Sequence, residues 1–348
     1  MAPDALRAPV HANVFDWPIM QAADHILLTG AGFTHNFGAP LARDVWNLIF
    51  NHPEVQGAPN VRDLLLENQD FEEAYNVAIS DSRFTSADRQ AIQSAVREAF
   101  EYIDRTVRDW LFTVNSPHPV NVYGVQKFIS RFAGSKDRPG LYFTLNQDLF
   151  LERHYYNGER PAMVGIQHHP DWFSSRFLNQ ELGHEHWRNL TSTAPDVSGL
   201  CAGHSFLYVK LHGSSNWFSS DGQQRMVIGR GKLGQIAAEP LLAAYWELFT
   251  QVLTTGNRRI FVIGYGFCDE HVNQVLAEAI DGNHIELFVL SPQPASDLKA
   301  TIQSKPFGNR IWKGLRGYFS GTLLDVFPAD QSESAMWKDI NRKFFCAP

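Results

Sequence analysis

Apolar residues fall along this chain in two alternating rhythms. Short unbroken runs, "HILLTG" (25–30), "LYFTLN" (141–146), "RIFVIGYG" (259–266) and "ELFVLSP" (286–292), are bounded by turn formers or polar residues. Runs of that kind mark strands buried on both faces. "FLYVKLHG" (206–213) alternates less cleanly but is rich in Val, Leu and aromatics, and reads as a fifth strand. Between the runs the apolar positions take a helical period, which predicts helices over roughly 40–52, 61–79, 87–112, 119–133, 236–255 and 270–281. Strands that alternate with helices predict an α/β fold, a mostly parallel sheet with helices on both faces.

The interval between the first two strands is too long for one crossover. It holds several helical patterns and the polar link "NHPEVQGAPN", so a helical insertion at about 50–135 is expected, packed on the sheet. Residues 20–295 then form the main domain, and 296–348 a C-terminal extension, rich in aromatics, that packs on the core or at an interface. The stretch 153–205, rich in His, Asn and Pro, reads as loops with short helices.

Composition narrows the class. The chain has 348 residues, 44% hydrophobic and 19% charged, which is ordinary globular usage. Its net charge of −7 argues against an overall basic surface for nucleic acid. Three distant cysteines, Cys201, Cys268 and Cys346, never form C-x-x-C. That pattern speaks against a disulfide framework or a four-cysteine zinc site, and fits a reducing, cytoplasmic compartment. No run approaches a membrane-spanning length, and "MAPDALRAPVHANVFDW" has no apolar signal core, so neither secretion nor a membrane partner is expected.

In an open parallel sheet, ligands bind beyond the carboxyl ends of the strands. The residues that follow each run are therefore the candidates: Gly30, Ala31, Gly32 and Thr34; Asn146 and Asp148; His212 and Gly213; Gly264; Ser291. Gly30 and Gly32 let the backbone turn tightly and approach a pyrophosphate, with the helix that starts near Pro40 behind them; the alternative is glycine for packing alone. Asn146 and Asp148 suit a ribose hydroxyl, a water or a carboxamide, or simply cap the helix in "LFLERHYY". His212 can act as a base near neutral pH, or be one of 14 ordinary histidines. His168, His169, His184, His186 and His204 crowd one polar stretch without metal-ligand spacing, so no metal is expected. "GRGK", with Arg230 and Lys232, meets a phosphate or is a solvated turn, and "LLLENQDFEEAY" reads as an ordinary helix face.

Taken together and in this order, the loops resemble the sirtuin family. "GAGFTHNFGAPLAR" keeps Gly30, Ala31, Gly32, Thr34, Gly38, Pro40 and Arg43 in the register of the first sirtuin signature. "TLNQD" resembles the second through Thr144, Asn146 and Asp148, and "KLHG" the third through His212 and Gly213. "VIGYG" and "LFVLSP" are similar to the later strand ends of that fold. The resemblance implies a Rossmann-like domain that takes NAD. It departs in three places: residues 213–260 hold no cysteine, Leu41 and Ala42 replace an acid and an aromatic, and no peptide-pairing segment is found. The variant forms "GAGFT-x-N-F-G", "NQDLFLER", "KLHGSSNW" and "GYGFCDEHVN" resemble instead the sirtuin-like proteins of prokaryotic antiphage defence, whose domain hydrolyses NAD to nicotinamide and ADP-ribose.

That resemblance implies NAD as substrate and no zinc. It gives the pyrophosphate to Gly30, Ala31, Gly32 and Thr34, with Arg43 closing over the phosphates or ribose. Gly264 and Ser291 complete the binding set. It gives the carboxamide to Asp148, the water or ribose to Asn146, and the base role to His212. It also implies a homo-oligomer and a separate helicase-like translocase ATPase partner. A non-catalytic NAD or ADP-ribose sensor, and a nuclease or DNA-associated subunit active only with a partner, stay open beside it.

Overall fold

A computed structural model describes residues 22–109, 120–155, 161–164, 188–189, 201–219 and 224–346. Its centre is a six-stranded parallel sheet of β1 (His25–Thr29), β2 (Gly140–Thr144), β4 (Phe206–Lys210), β7 (Arg258–Ile263), β8 (Ile285–Ser291) and β9 (Leu315–Ser320). The order β4-β2-β1-β7-β8-β9 places the earlier strands on one side of β1 and the later ones on the other. That reversal is the Rossmann topology, and the crevice for a ligand opens beyond the carboxyl ends beside β1. Each of the five expected strands forms, and the α/β expectation holds. A second, three-stranded sheet joins β3 (Arg188–Asn189), β5 (Gly213–Phe218) and β6 (Gln224–Met226), and β5 continues directly from the His212 turn.

Strand β9 carries no clear signal in the sequence. "LRGYFS" is neither an apolar run nor a clean alternation, because it is an edge strand covered on part of its surface only. Its partner β8 fixes it, with Tyr318 opposite Val289 and Phe319 opposite Leu290. The chain then turns back and buries Phe344 beside Phe132, Phe261 and Phe288.

Between β1 and β2 the chain is helical. The 24-residue helix Ser86–Asp109 is the spine of this segment, and Ala42–Phe50, Pro53–Gln56, Pro59–Glu67 and Phe71–Ser80 pack against it. Two expected helices are broken, each for a local reason. The 61–79 pattern stops at Asn68, and Asp70 caps a new helix by accepting from the N–H groups of Glu72 and Glu73. The 236–255 pattern divides at Pro240, which lacks the N–H that a continuous helix requires. A buried ion pair ties the spine to the sheet loops: Arg153, in helix Phe150–His154, donates to Asp104 at 2.8 and 2.5 Å.

Candidate active site

A cavity of about 580 Å³ opens at the carboxyl end of the sheet, a size typical of small-molecule and cofactor sites. Gly30, Ala31, Gly32, Thr34, Arg43, Asn146, Asp148, His212, Gly264 and Ser291 all line it. These residues come from loops far apart in sequence, and the parallel strands deliver them to one place. Phe71, Phe100 and Ile103 close one wall with apolar surface from the helical segment.

The glycine loop is shaped by its neighbour across the crevice. Gly30 N–H donates to Ile263 O at 3.0 Å and Gly32 N–H to Gly264 O at 2.9 Å. A Cβ on Gly32 would lie 2.7 Å from Gly264 Cα, and one on Gly264, which has φ +68°, would lie 2.1 Å from Phe33 N. The packing role of these glycines is therefore real, and the amides of Gly30 and Gly32 are occupied within the protein. The loop winds at once into the short helix Ala31–His35, and the longer helix begins at Ala42, two residues beyond the expected Pro40. Arg43 stands at the cavity mouth, its side chain 85% exposed.

Thr34 and Asn146 meet across the floor. Asn146 Nδ2 donates to Thr34 Oγ1 at 3.3 Å, and that hydroxyl donates to Ala31 O at 3.3 Å. Asp148 Oδ1 accepts from Phe150 N–H at 3.0 Å, so this carboxyl caps the next helix and lines the cavity at once. Burial pushes the Asp148 carboxyl above the usual carboxylate range, with Lys210 opposing. Lys210, fully buried under the loop, donates to Asp148 O at 2.5 Å, Glu152 Oε1 at 2.9 Å and Ser214 Oγ at 2.8 Å. Ser291, at the end of β8, accepts on its hydroxyl from Gln293 N–H at 3.3 Å.

His212 follows β4 and is 4% exposed. Its Nε2 lies 3.0 Å from Nε2 of His271, in the first turn of helix Glu270–Asp281. Burial holds His212 down at about 3 and His271 at about 4, so both rings are neutral at ordinary pH. Asp269 stands beside them. Burial works against its charge, but the neighbouring His212 ring and the Lys232 ammonium outweigh this and keep the carboxyl below its usual range. Lys232 Nζ lies 2.7 Å from Asp269 Oδ1 and 2.8 Å from Glu72 Oε2. Burial opposes the Lys232 charge as well, and the two carboxylates hold it raised.

Residues 140–308 match the family profile of the SIR2-like domain. The match supports a sirtuin-like family. SIR2-like domains bind NAD, and the domain points to NAD-related activity in general. Comparison with curated proteins gives no match. The SIR2-like stretch contains Asn146, Asp148, His212, Gly264 and Ser291, whereas the Gly30–Arg43 loop lies before it.

Beside these motif residues the cavity is lined by the charges of Lys232, Glu72 and Asp269. Lys232 neither meets open solvent nor offers a free charge, since Glu72 and Asp269 take it. Glu72, read as part of an ordinary helix face, is a cavity residue. His271 shares the buried face of its helix with Val275, four positions on, and that spacing was the available signal. Ligand atoms of His212, Asp269 and His271 lie within 4.8 Å of one another. Here Asp269 Oδ1 is bonded by Lys232 and the Nε2 atoms of the two imidazoles face each other. His204 is half-buried, and His168, His169, His184 and His186 lie outside the described residues. Among the described residues no helix is long and apolar enough to cross a membrane.

Proposed function

We propose that the chain hydrolyses NAD to nicotinamide and ADP-ribose. The observation that carries this reading is the convergence of Asn146, Asp148 and His212 with the glycine loop in one cavity. Nicotinamide leaves readily because its ring is cationic, and the ribose passes through an oxocarbenium-like state that needs a nucleophile on one face. In this reading Asp148, with Oδ1 held by Phe150 N–H, offers Oδ2 to the carboxamide. Asn146, with Nδ2 on Thr34, offers Oδ1 to the attacking water. His212, neutral through burial, takes the proton. Phe71, Phe100 and Ile103 shield the reacting bond from bulk water.

The pyrophosphate is assigned to the Ala31–Thr34 turn and Arg43, because the amides of Gly30 and Gly32 are already used. The missing cysteines between 213 and 260 and the changed residues Leu41 and Ala42 favour water over a peptide as acceptor. The variant motifs support a role as effector in antiphage defence by NAD depletion, as a homo-oligomer that works with a helicase-like translocase ATPase. Purified protein incubated with NAD, alone and with that partner, tests the reading. Nicotinamide and ADP-ribose should appear in equal amounts. NAD bound but unconsumed under both conditions would instead make the protein a sensor.

A further inference from the structure

His212 and His271 meet in a geometry that decides what the contact is. Their Nε2 atoms are 3.0 Å apart and their ring centroids 5.2 Å apart. At that separation the rings point Nε2 to Nε2 nearly head-on, as two partners in an N–H···N hydrogen bond do. Rings that converged on a shared metal would bring their centroids closer for the same nitrogen spacing. Trp246 packs against His271 with centroids 5.0 Å apart and fixes its plane. With Nε2 of His212 engaged in this way, the nitrogen left for a ligand in the cavity is Nδ1.

We infer that His271 is the second proton site of His212, which meets substrate through Nδ1 and passes a proton inward through Nε2. This rests on reading the cavity as an NAD hydrolase site. To accept at Nδ1, a neutral His212 must carry its proton on Nε2, the atom that has an acceptor 3.0 Å away. As water attacks C1′, a C–O bond forms and the C–N bond to nicotinamide breaks, its electron pair leaving with neutral nicotinamide. One water proton moves to His212 Nδ1, the Nε2–H of His212 breaks, and an N–H forms on His271 Nε2. His212 stays neutral in its other tautomer. The imidazolium of His271 stands near the Asp269 carboxylate, while the opposing charge of Lys232 is shared by Asp269 and Glu72. The proton that the hydrolysis releases is held by His271 until it reaches solvent.

Two measurements on the full chain test this. Long-range proton–nitrogen spectra of histidine-labelled protein at neutral pH should show His212 protonated on Nε2 and His271 Nε2 bare. NAD turnover should fall about 10- to 100-fold in kcat in His271→Phe, which keeps a ring against Trp246, with KM unchanged within about twofold. His271→Gln, which retains an acceptor, should recover part of that loss. A His212 protonated on Nδ1, one firmly bound divalent metal per chain, or wild-type kcat in His271→Phe would each overturn the inference. If the wild type releases no nicotinamide either alone or with the translocase ATPase partner, the hydrolase reading fails, and the tautomer of His212 alone then decides the pairing.

Discussion

The N–H of Gly32, just past β1, donates to the carbonyl of Gly264, just past β7, at 2.9 Å. The two loops on either side of the crevice thus set each other's path. A Cβ at Gly32 meets backbone at 2.7 Å, and backbone cannot swing aside as a flexible side chain can. Gly32→Ala should cost about 1–3 kcal/mol through overpacking. Gly264→Ala should cost more, because it adds a left-handed φ to a closer clash. Thermal melts of both variants check the order, and equal melting temperatures for the two would contradict it.

Asn146 reaches the cavity from its bond to Thr34, so its loss should remove chemistry rather than fold. Asn146→Ala and His212→Ala should each slow nicotinamide release by about 10²–10⁴-fold. Thr34→Val, which removes the hydroxyl that accepts from Asn146, should fall between wild type and Asn146→Ala. Product release measured beside circular-dichroism melts separates the effects. Near-full activity in both alanine variants would exclude this cavity as the site of hydrolysis.

The pair of Asp104 and Arg153 lies outside the cavity, and both side chains are almost fully buried. Asp104→Ala takes the carboxylate from beside a buried guanidinium and should lose about 3–5 kcal/mol. Asp104→Leu with Arg153→Met, which removes both charges, should recover much of that. Urea denaturation of the two variants is the check. A double variant weaker than the single would show that the pair contributes more than mutual neutralisation.

Acid should weaken the fold partly through buried histidines. His154 Nε2 donates to Val107 O at 2.6 Å, and burial holds this ring down at about 4 despite that bond. In the unfolded chain it titrates at its ordinary value of about 6.5. Between these values the unfolded state binds more protons, so stability falls as pH drops from about 6.5 toward 4. His212 and His271 act in the same direction, while the raised carboxyls of Asp148 and Glu152 act against it at the acid end. The informative quantity is therefore a difference. His154→Gln, which keeps a donor, should show a shallower loss of urea midpoint from pH 7 to about 4.5 than wild type. Identical slopes would mean that His154 titrates normally in the folded protein.

Runs of apolar residues and turn formers between them determine β1, β2, β4, β7 and β8, because a strand buried on both faces must be apolar throughout. They also determine which residues stand at the strand ends, since a parallel sheet sends all its carboxyl ends to one side. That is why Gly30, Asn146, Asp148, His212, Gly264 and Ser291 are legible in the sequence as strand-end residues. Edge strand β9 escaped, since a strand covered on part of its surface leaves no clear run. Which charges face the cavity was decided only by tertiary structure. Lys232, Glu72 and Asp269 lie on three separate segments, and nothing local records that their charges meet. The same holds for His271, whose sequence position reads as one buried helix residue. Its partner His212 is 59 positions away, and only the packing of the Glu270–Asp281 helix beside the end of β4 puts their Nε2 atoms 3.0 Å apart.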